Sequence, residues 1–468
     1  MQKEKMNAGV FVADITPQLP VRLSGQLYKR IAREVYSPLK ATVLVLRNSE
    51  DHAIFIGCDL VGIPAPLLKA LRERISAKNC EINPQKIILS ATHIHTGPYI
   101  YEDDFANFWG KDFRFDSQID GVATPSYADF LLETLCSAIL ATWESCQPVT
   151  FRVGNDYCPI AFPRRVVYNN GSAKMYGSTA QSDFSHMEGS TDFGIHFISV
   201  FNQRDQLLCA IMNLPCPAQI LEHKHFITSD YWDVVREAVK DKYGAQAAVL
   251  PLIGAAGDLS PRDLVRLARD EAEMHKTAMY NPEGTRIVSN RIMHCFDAFM
   301  ASEDSKSEAP DFAHLSAAPL LPIWQTTREE AEEAQKSYDT LRSKHQLIDD
   351  FTEEECMYLS FHQGIINRYR NQQKSTSHSV EIHCIKLGDT LIATNPFELF
   401  VAYADRIRAQ TNFPNVIVAQ LACAYDGYLP TREAVLHGGY SACISNGILG
   451  PEGGDRFVEE TLKLARAL

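Results

Sequence analysis

The segment Thr92-His93-Ile94-His95-Thr96-Gly97-Pro98 sets two imidazoles two residues apart. In a strand, residues i and i+2 share a face, so both rings can reach one centre. Imidazole offers a neutral nitrogen to zinc, or a proton donor and acceptor near neutral pH, so one ring can bind metal while the other moves protons. A turn with two hydrogen-bonded histidines has the same spacing, and the pair alone does not choose between these readings.

Further groups with chemical potential lie along the chain. Cys216, in Cys216-Pro217-Ala218-Gln219, follows an apolar run and is either a thiolate ligand or a buried thiol. His223 and His225 are alternatives to it, but Glu222 and Lys224 give that stretch the look of an exposed segment. Glu398 follows Asn395-Pro396-Phe397 at the expected start of a helix. A carboxylate in such apolar surroundings needs a metal, a cation or a proton, unless the helix N-terminus compensates its charge. Gly257-Asp258-Leu259-Ser260-Pro261 lacks the GxSxG elbow of a serine hydrolase, so Asp258 and Ser260 either cap a turn or present Ser260 as a nucleophile. Arg164-Arg165 is either an anion clamp or a surface pair. Tyr425-Asp426-Gly427-Tyr428-Leu429-Pro430-Thr431 sets two phenols around a glycine turn, where either can reach a cleft.

The elements that must position these groups alternate in type. Thr42 to Leu46, Ala53 to Ile56 and Ile87 to Leu89 read as strands, with a helix from Pro64 to Ile75 between the second and third. Tyr127 to Ser145 and Tyr231 to Lys242 read as helices; Gly194 to Phe201, Leu207 to Met212 and Ala247 to Ile253 read as strands. Residues 262 to 300 resemble helix, and the charges from Thr326 to Lys344 suit a solvated helix face. Val380 to Lys386, Thr390 to Thr394 and Val416 to Leu421 close the pattern as strands, with a helix from Glu398 to Ala409. The fold class is therefore α/β, a large layered domain with a mixed β-sheet core and flanking helices. One domain over 1–468 is expected, with a helical insertion around 262–375 and an alternative boundary near 300 to 325.

The 468 residues are 45% hydrophobic and 22% charged, which suits a globular chain with a substantial core. A formal net charge of −13 argues against a surface built for nucleic acid. Asp14 breaks the apolar run after the N-terminal lysines, and no later run is long enough to span a bilayer. The 12 cysteines are scattered and read mostly as buried thiols, which makes the cytoplasm the expected compartment.

Taken in order, these motifs resemble the catalytic domain of the neutral/alkaline non-lysosomal ceramidase family. The resemblance runs from Ala8-Gly9-Val10 and Ala13-Asp14-Ile15-Thr16-Pro17 through the His93 and Ser260 segments to Asn395-Pro396-Phe397-Glu398, the Tyr425 to Thr431 turn and Gly439-Tyr440. It implies a catalytic zinc held by two histidines, a glutamate and a tyrosine, which places His93, Glu398 and Tyr428 in the metal set. The second histidine of the family falls on Cys216, so the implied set is His93, Cys216, Glu398 and Tyr428. The resemblance further implies His95 as the acid/base, Arg164 as a substrate contact and Tyr440 as a tyrosine facing the reacting group. Ser260 matches a serine that could act covalently.

The implied activity is zinc-dependent hydrolysis of an amide-like C–N bond by metal-activated water. The chain ends too soon for the C-terminal immunoglobulin-like domain of the larger ceramidases, and Tyr440-Ser441 replaces their Tyr-Glu. A small or polar N-acyl substrate is therefore expected ahead of N-acyl sphingosine. Ceramidase activity, a Ser260-dependent esterase or amidase, and a degenerate ligand-binding protein are the alternatives.

Overall fold

A computed structural model describes residues 5–101, 127–268, 278–302, 306–307, 310–346 and 350–468. The first four residues of the N-terminal reading, the middle of the expected 262 to 300 helix and parts of the expected insertion lie outside these.

The larger sheet has eight strands: β1 (Asn7–Asp14), β2 (Lys40–Arg47), β3 (His52–Cys58), β4 (Ile87–Ala91), β5 (Gln147–Tyr157), β6 (Gly194–Asn202), β7 (Leu207–Leu214) and β8 (Ala248–Ile253). Their order is β8-β7-β6-β5-β1-β2-β3-β4. The chain makes β1, β2 and β3 antiparallel neighbours, then crosses over through the helix Ala65–Lys78 to set β4 parallel to β3. Likewise β5, β6 and β7 are antiparallel, and the helix Tyr231–Tyr243 carries the chain to β8, parallel to β7. The residues of β7 and β8 are buried throughout, as their largely apolar sequences require of strands covered on both faces.

A smaller sheet consists of β9 (Phe312–Ala317), β10 (Ile382–Leu387), β11 (Thr390–Thr394) and β12 (Asn415–Ala419) in that order. β9, β10 and β11 are antiparallel; β12 is parallel to β11 after the helix Val401–Gln410. The ends of the two sheets are stitched together. Gln420 N donates to Ile253 O at 2.9 Å, and the buried Asn213 amide donates to Leu252 O at 3.3 Å and Val418 O at 3.0 Å.

The layered mixed-sheet architecture matches the sequence reading, with differences at element ends. The 262 to 300 stretch holds a short helix, Leu264–Leu267, and a longer one, Pro282–Ala301. The helices Arg328–Arg342 and Glu353–Gln372 both start with capping boxes, Thr327 with Glu330 and Thr352 with Glu355. The first buries only Ala331, Ala334 and Tyr338, so its charges do line a solvated face. All 12 cysteines are free thiols and most are buried. Among the described residues, no helix is long and apolar enough to cross a membrane.

Candidate functional site

Three parallel strand pairs, β3/β4, β7/β8 and β11/β12, point their carboxyl ends toward one region. The segments leaving those ends carry nearly all the candidate residues: 92–95 after β4, 215–222 after β7, 254–262 after β8, 395–399 after β11 and 420–428 after β12. Ligands of open α/β sheets collect at this end because the loops are free to carry side chains there. Buried amides hold these loops in place. Gln420 Oε1 accepts from Ala256 N at 3.1 Å and Leu399 N at 2.9 Å, and Asn395 Oδ1 accepts from Phe397 N at 3.1 Å.

His93 and His95 meet, but not by strand alternation. β4 ends at Ala91, and His93 has a φ of 60°, the left-handed region that a non-glycine residue enters only when its surroundings hold it there. The turn sets the two Nε2 atoms 3.4 Å apart. His93 Nδ1 lies 2.7 Å from Val61 O. A carbonyl only accepts, so Nδ1 carries the hydrogen and Nε2 of the neutral ring is a lone pair. That lone pair faces Glu398 Oε2 at 3.2 Å, with both side chains buried.

Glu398 lies on a two-residue strand, Glu398–Leu399, rather than on the helix, which starts at Val401. Its register partner in the parallel strand Tyr428–Leu429 is Tyr428, and Glu398 N donates to Gly427 O at 2.9 Å. The helix N-terminus therefore does not explain this carboxylate. Its other oxygen accepts from the Tyr425 hydroxyl at 2.7 Å, and Arg164 Nη2 stands 3.9 Å from Oε2. Burial raises the Glu398 pKa, but His93 when its Nε2 also carries a proton, Arg164 and Tyr425 outweigh it and hold the carboxyl at about 2.

Arg164 is buried and bridges the site: Nη2 donates to Gly257 O at 2.8 Å and to the Tyr428 hydroxyl at 3.1 Å. The adjacent Arg165 is structural. It pairs with Glu188 and donates to Tyr440 O at 2.7 Å. The Tyr428 and Tyr440 rings meet edge to face at 5.6 Å. Burial, with the Glu398 charge next, pushes both phenols upward, so they present hydroxyl groups to the site.

His95 is oriented from the opposite side. Its Nδ1 lies 3.3 Å from Glu222 Oε2, and its Nε2 lies 2.8 Å from Gln219 Nε2. An Nδ1 hydrogen toward the carboxylate leaves Nε2 as an acceptor for the Gln219 amide and turns it toward His93. Burial lowers the His95 pKa to about 4 despite the Glu222 contact. Glu222 is itself buried, pairs with Arg262 and accepts from Gln26 Nε2 at 3.0 Å. The sequence reading of an exposed stretch holds for His223 and His225 and is corrected at Glu222. Glu222 is turned inward by Arg262, while the His223 side chain stays half exposed.

Cys216 is set back from this group. Its sulfur donates to Ile160 O at 3.3 Å, and burial, with Asp230 and Cys158 nearby, raises its pKa. Its sulfur does not join His93 and Glu398 in a group of ligand atoms within 4.8 Å. Three residues on, Gln219 reaches His95 instead, with Oε1 buried and without a hydrogen-bond partner. Ser260 is fully buried, and its Oγ accepts from Arg262 N at 3.2 Å, a turn-fixing contact.

A second polar cluster lies near the start of β10. Glu381, His383 and Cys423 bring three ligand atoms within 4.8 Å of one another, a candidate metal-binding arrangement. No sequence spacing announces it, because Cys423 lies 40 residues beyond His383.

Neither the family models nor the curated proteins contain a match to this chain in sequence. Solved structures do match. Neutral ceramidase from Pseudomonas aeruginosa superposes with a TM-score of 0.71 at 14% identity, over 99% of this chain and 74% of the other. A ceramidase complexed with C2 gives 0.70 at 14% identity, over 99% and 75%. The chain has the fold of neutral ceramidase. That likeness, at so low an identity, agrees with a resemblance carried by short ordered motifs.

Proposed function

We propose that the chain is a zinc-dependent amidohydrolase acting on N-acyl substrates, with N-acyl sphingosine the first to test. The observation that carries this reading is the convergence of the His93 Nε2 lone pair and the Glu398 carboxylate, buried at 3.2 Å. Two electron-pair donors so placed need a proton or a cation between them, and nitrogen with carboxylate oxygen suits zinc. Tyr428, in register with Glu398, is the third ligand in this reading, and the Gln219 amide orients His95 beside it.

Zinc bound there supplies a Lewis acid and an activated water. The protein groups divide the remaining work. His95 Nε2, turned inward by Glu222, takes a proton from the attacking water and returns it to the leaving nitrogen. Arg164, with no acidic partner closer than 3.9 Å among the described residues, and the Tyr440 hydroxyl stabilise the negative charge that develops on the acyl oxygen. The contact of Ser260 with Arg262 N favours a structural role over a covalent one.

The substrate reading moves toward ceramide because the solved structures of this fold named above are ceramidases. The test is turnover by zinc-loaded protein on short- and long-chain N-acyl sphingosines, small polar N-acyl compounds and esters. Release of fatty acid from N-acyl sphingosine, abolished in Glu398→Gln, supports the proposal. Turnover confined to small polar amides returns the substrate to the narrower class. Ligand binding without hydrolysis across the series overturns the enzyme reading in favour of a binding protein.

A further inference from the structure

The Glu381, His383 and Cys423 cluster is separate from the residues around His93 and has its own internal logic. His383 Nε2 lies 2.7 Å from Glu381 Oε1 and 3.5 Å from Cys423 Sγ. The ring orientation is fixed from behind, since His383 Nδ1 is 2.9 Å from His314 Nε2 and His314 Nδ1 is 3.1 Å from His52 O. The carbonyl of His52 can only accept, so His314 Nδ1 carries a hydrogen. Neutral His314 then accepts at Nε2, His383 donates through Nδ1, and His383 Nε2 is left as a lone pair. That lone pair points at a carboxylate oxygen and a sulfur, both of which also bring electron pairs.

We propose that Glu381, His383 and Cys423 hold a structural zinc ion, with a solvent ligand on the side of the part-exposed Glu381. One oxygen, one imidazole nitrogen and one thiolate make a donor set typical of zinc. His314 plays the outer part such sites require, fixing the tautomer of a ligating histidine. Binding displaces the Cys423 thiol proton to solvent, so one Zn2+ enters and one H+ leaves. Arg72 grips both oxygens of Glu381, at 2.9 and 2.5 Å, and offsets part of the negative charge that carboxylate and thiolate assemble.

The position gives the ion something to brace. Leu421 and Cys423 are in the left-handed region, with φ of 56° and 67°. The same turn is tied to β4 by Cys423 N to Leu89 O at 2.8 Å and Ala91 N to Leu421 O at 3.1 Å. Two residues later it delivers Tyr425 to Glu398. A metal linking β10 to Cys423 fixes that turn two residues before Tyr425.

The experiment uses the full chain, loaded with zinc or with cobalt and freed of excess metal by gel filtration. Two zinc equivalents per chain are expected, together with a thiolate-to-cobalt charge-transfer band in the near ultraviolet. Cys423→Ser loses one equivalent and the band, whereas His93→Ala loses the other equivalent and keeps the band. Folding of each variant is checked by circular dichroism. If Cys423→Ser does not fold, Cys216→Ser decides: persistence of the band supports the site, and its loss overturns it. Absence of a thiolate band in the wild-type cobalt protein also overturns it and leaves an ion pair between His383 and Glu381. None of these readouts depends on hydrolysis, so failure here is distinct from failure of the proposed activity.

Discussion

His93 Nε2 and Glu398 Oε2 face each other at 3.2 Å inside the protein, and each comes from a segment that follows the carboxyl end of a strand in a different sheet. The first prediction follows from that pairing. Glu398→Gln removes the charge of the acidic ligand, so we expect zinc at this centre to be lost and turnover to fall by at least about 100-fold. His93→Ala leaves Glu398 with only Arg164 and the Tyr425 hydroxyl and has the same effect on metal content. Metal analysis alongside turnover checks both variants. Full activity in metal-free Glu398→Gln would refute a metal-dependent reaction.

The positions of Cys216 and Gln219 lead to a second prediction. Cys216 Sγ is directed at Ile160 O, whereas the Gln219 amide reaches His95 and leaves a buried oxygen without a partner. Cys216→Ser is expected to retain the His93-site metal and most of the turnover. Gln219→Ala is expected to lower turnover by about 10- to 100-fold, the range seen when groups orienting a metal site are removed. Metal loss in Cys216→Ser, with folding intact, would restore the cysteine to the ligand set.

How far the sequence reached is clearest from these same residues. The strands and crossovers were legible because continuous apolar runs such as Ala248–Ile253 allow little else than a covered strand. His93, His95 and Glu398 stood out because their types are chemically costly to bury. What spacing cannot convey is direction. The alternation rule brought His93 and His95 together for the wrong reason, since the meeting comes from a left-handed turn. Glu222 looked exposed among charged neighbours because its partner, Arg262, lies 40 residues on, after β8. Gln219 carried no signal at all, since a neutral amide is ordinary in any loop.

A third prediction concerns the buried pair of Glu222 and Arg262. Glu222→Gln leaves the Arg262 charge without its acidic partner and is expected to cost about 3–5 kcal/mol, read from urea unfolding. The pH dependence has a definite sign. The folded-state pKa of Glu222 is depressed, with Arg262 and His95 outweighing burial. Its contribution is therefore fully present above the unfolded value of about 4.3 and is lost as pH falls below it toward the lower folded value. Wild type should lose stability over that acid range more steeply than Glu222→Gln. Parallel profiles for the two proteins would count against the pairing.

The fourth prediction separates the two hydrolytic chemistries at Ser260. Its Oγ accepts from Arg262 N at 3.2 Å inside a fully buried turn, so Ser260→Ala removes one hydrogen bond and costs about 0.5–1.5 kcal/mol. Turnover is expected to remain within a few-fold of wild type, because the water attack does not pass through this hydroxyl. Thermal unfolding measures the first effect and steady-state hydrolysis the second. Abolished turnover in folded Ser260→Ala, together with an acyl group trapped on wild-type Ser260, would establish the covalent route instead.

Gly257 supplies the last prediction, because it separates positioning from chemistry. Its N donates to Leu399 O at 2.8 Å, and Arg164 Nη2 donates to its carbonyl at 2.8 Å, so it joins the loop after β8 to the strand carrying Glu398. A Cβ at this position would lie 2.3 Å from Glu398 O. That contact is with backbone, which cannot rotate away as a flexible side chain can. Gly257→Ala must therefore push the Glu398 strand outward, at a cost of about 1–3 kcal/mol. Since a displacement of about 1 Å at a reacting centre costs roughly 100-fold in rate, turnover should fall far more than the lost stability alone would cause. The discriminating measurement is kcat at a temperature where the variant is fully folded. An unchanged kcat there would mean that Glu398 is not held in place through Gly257.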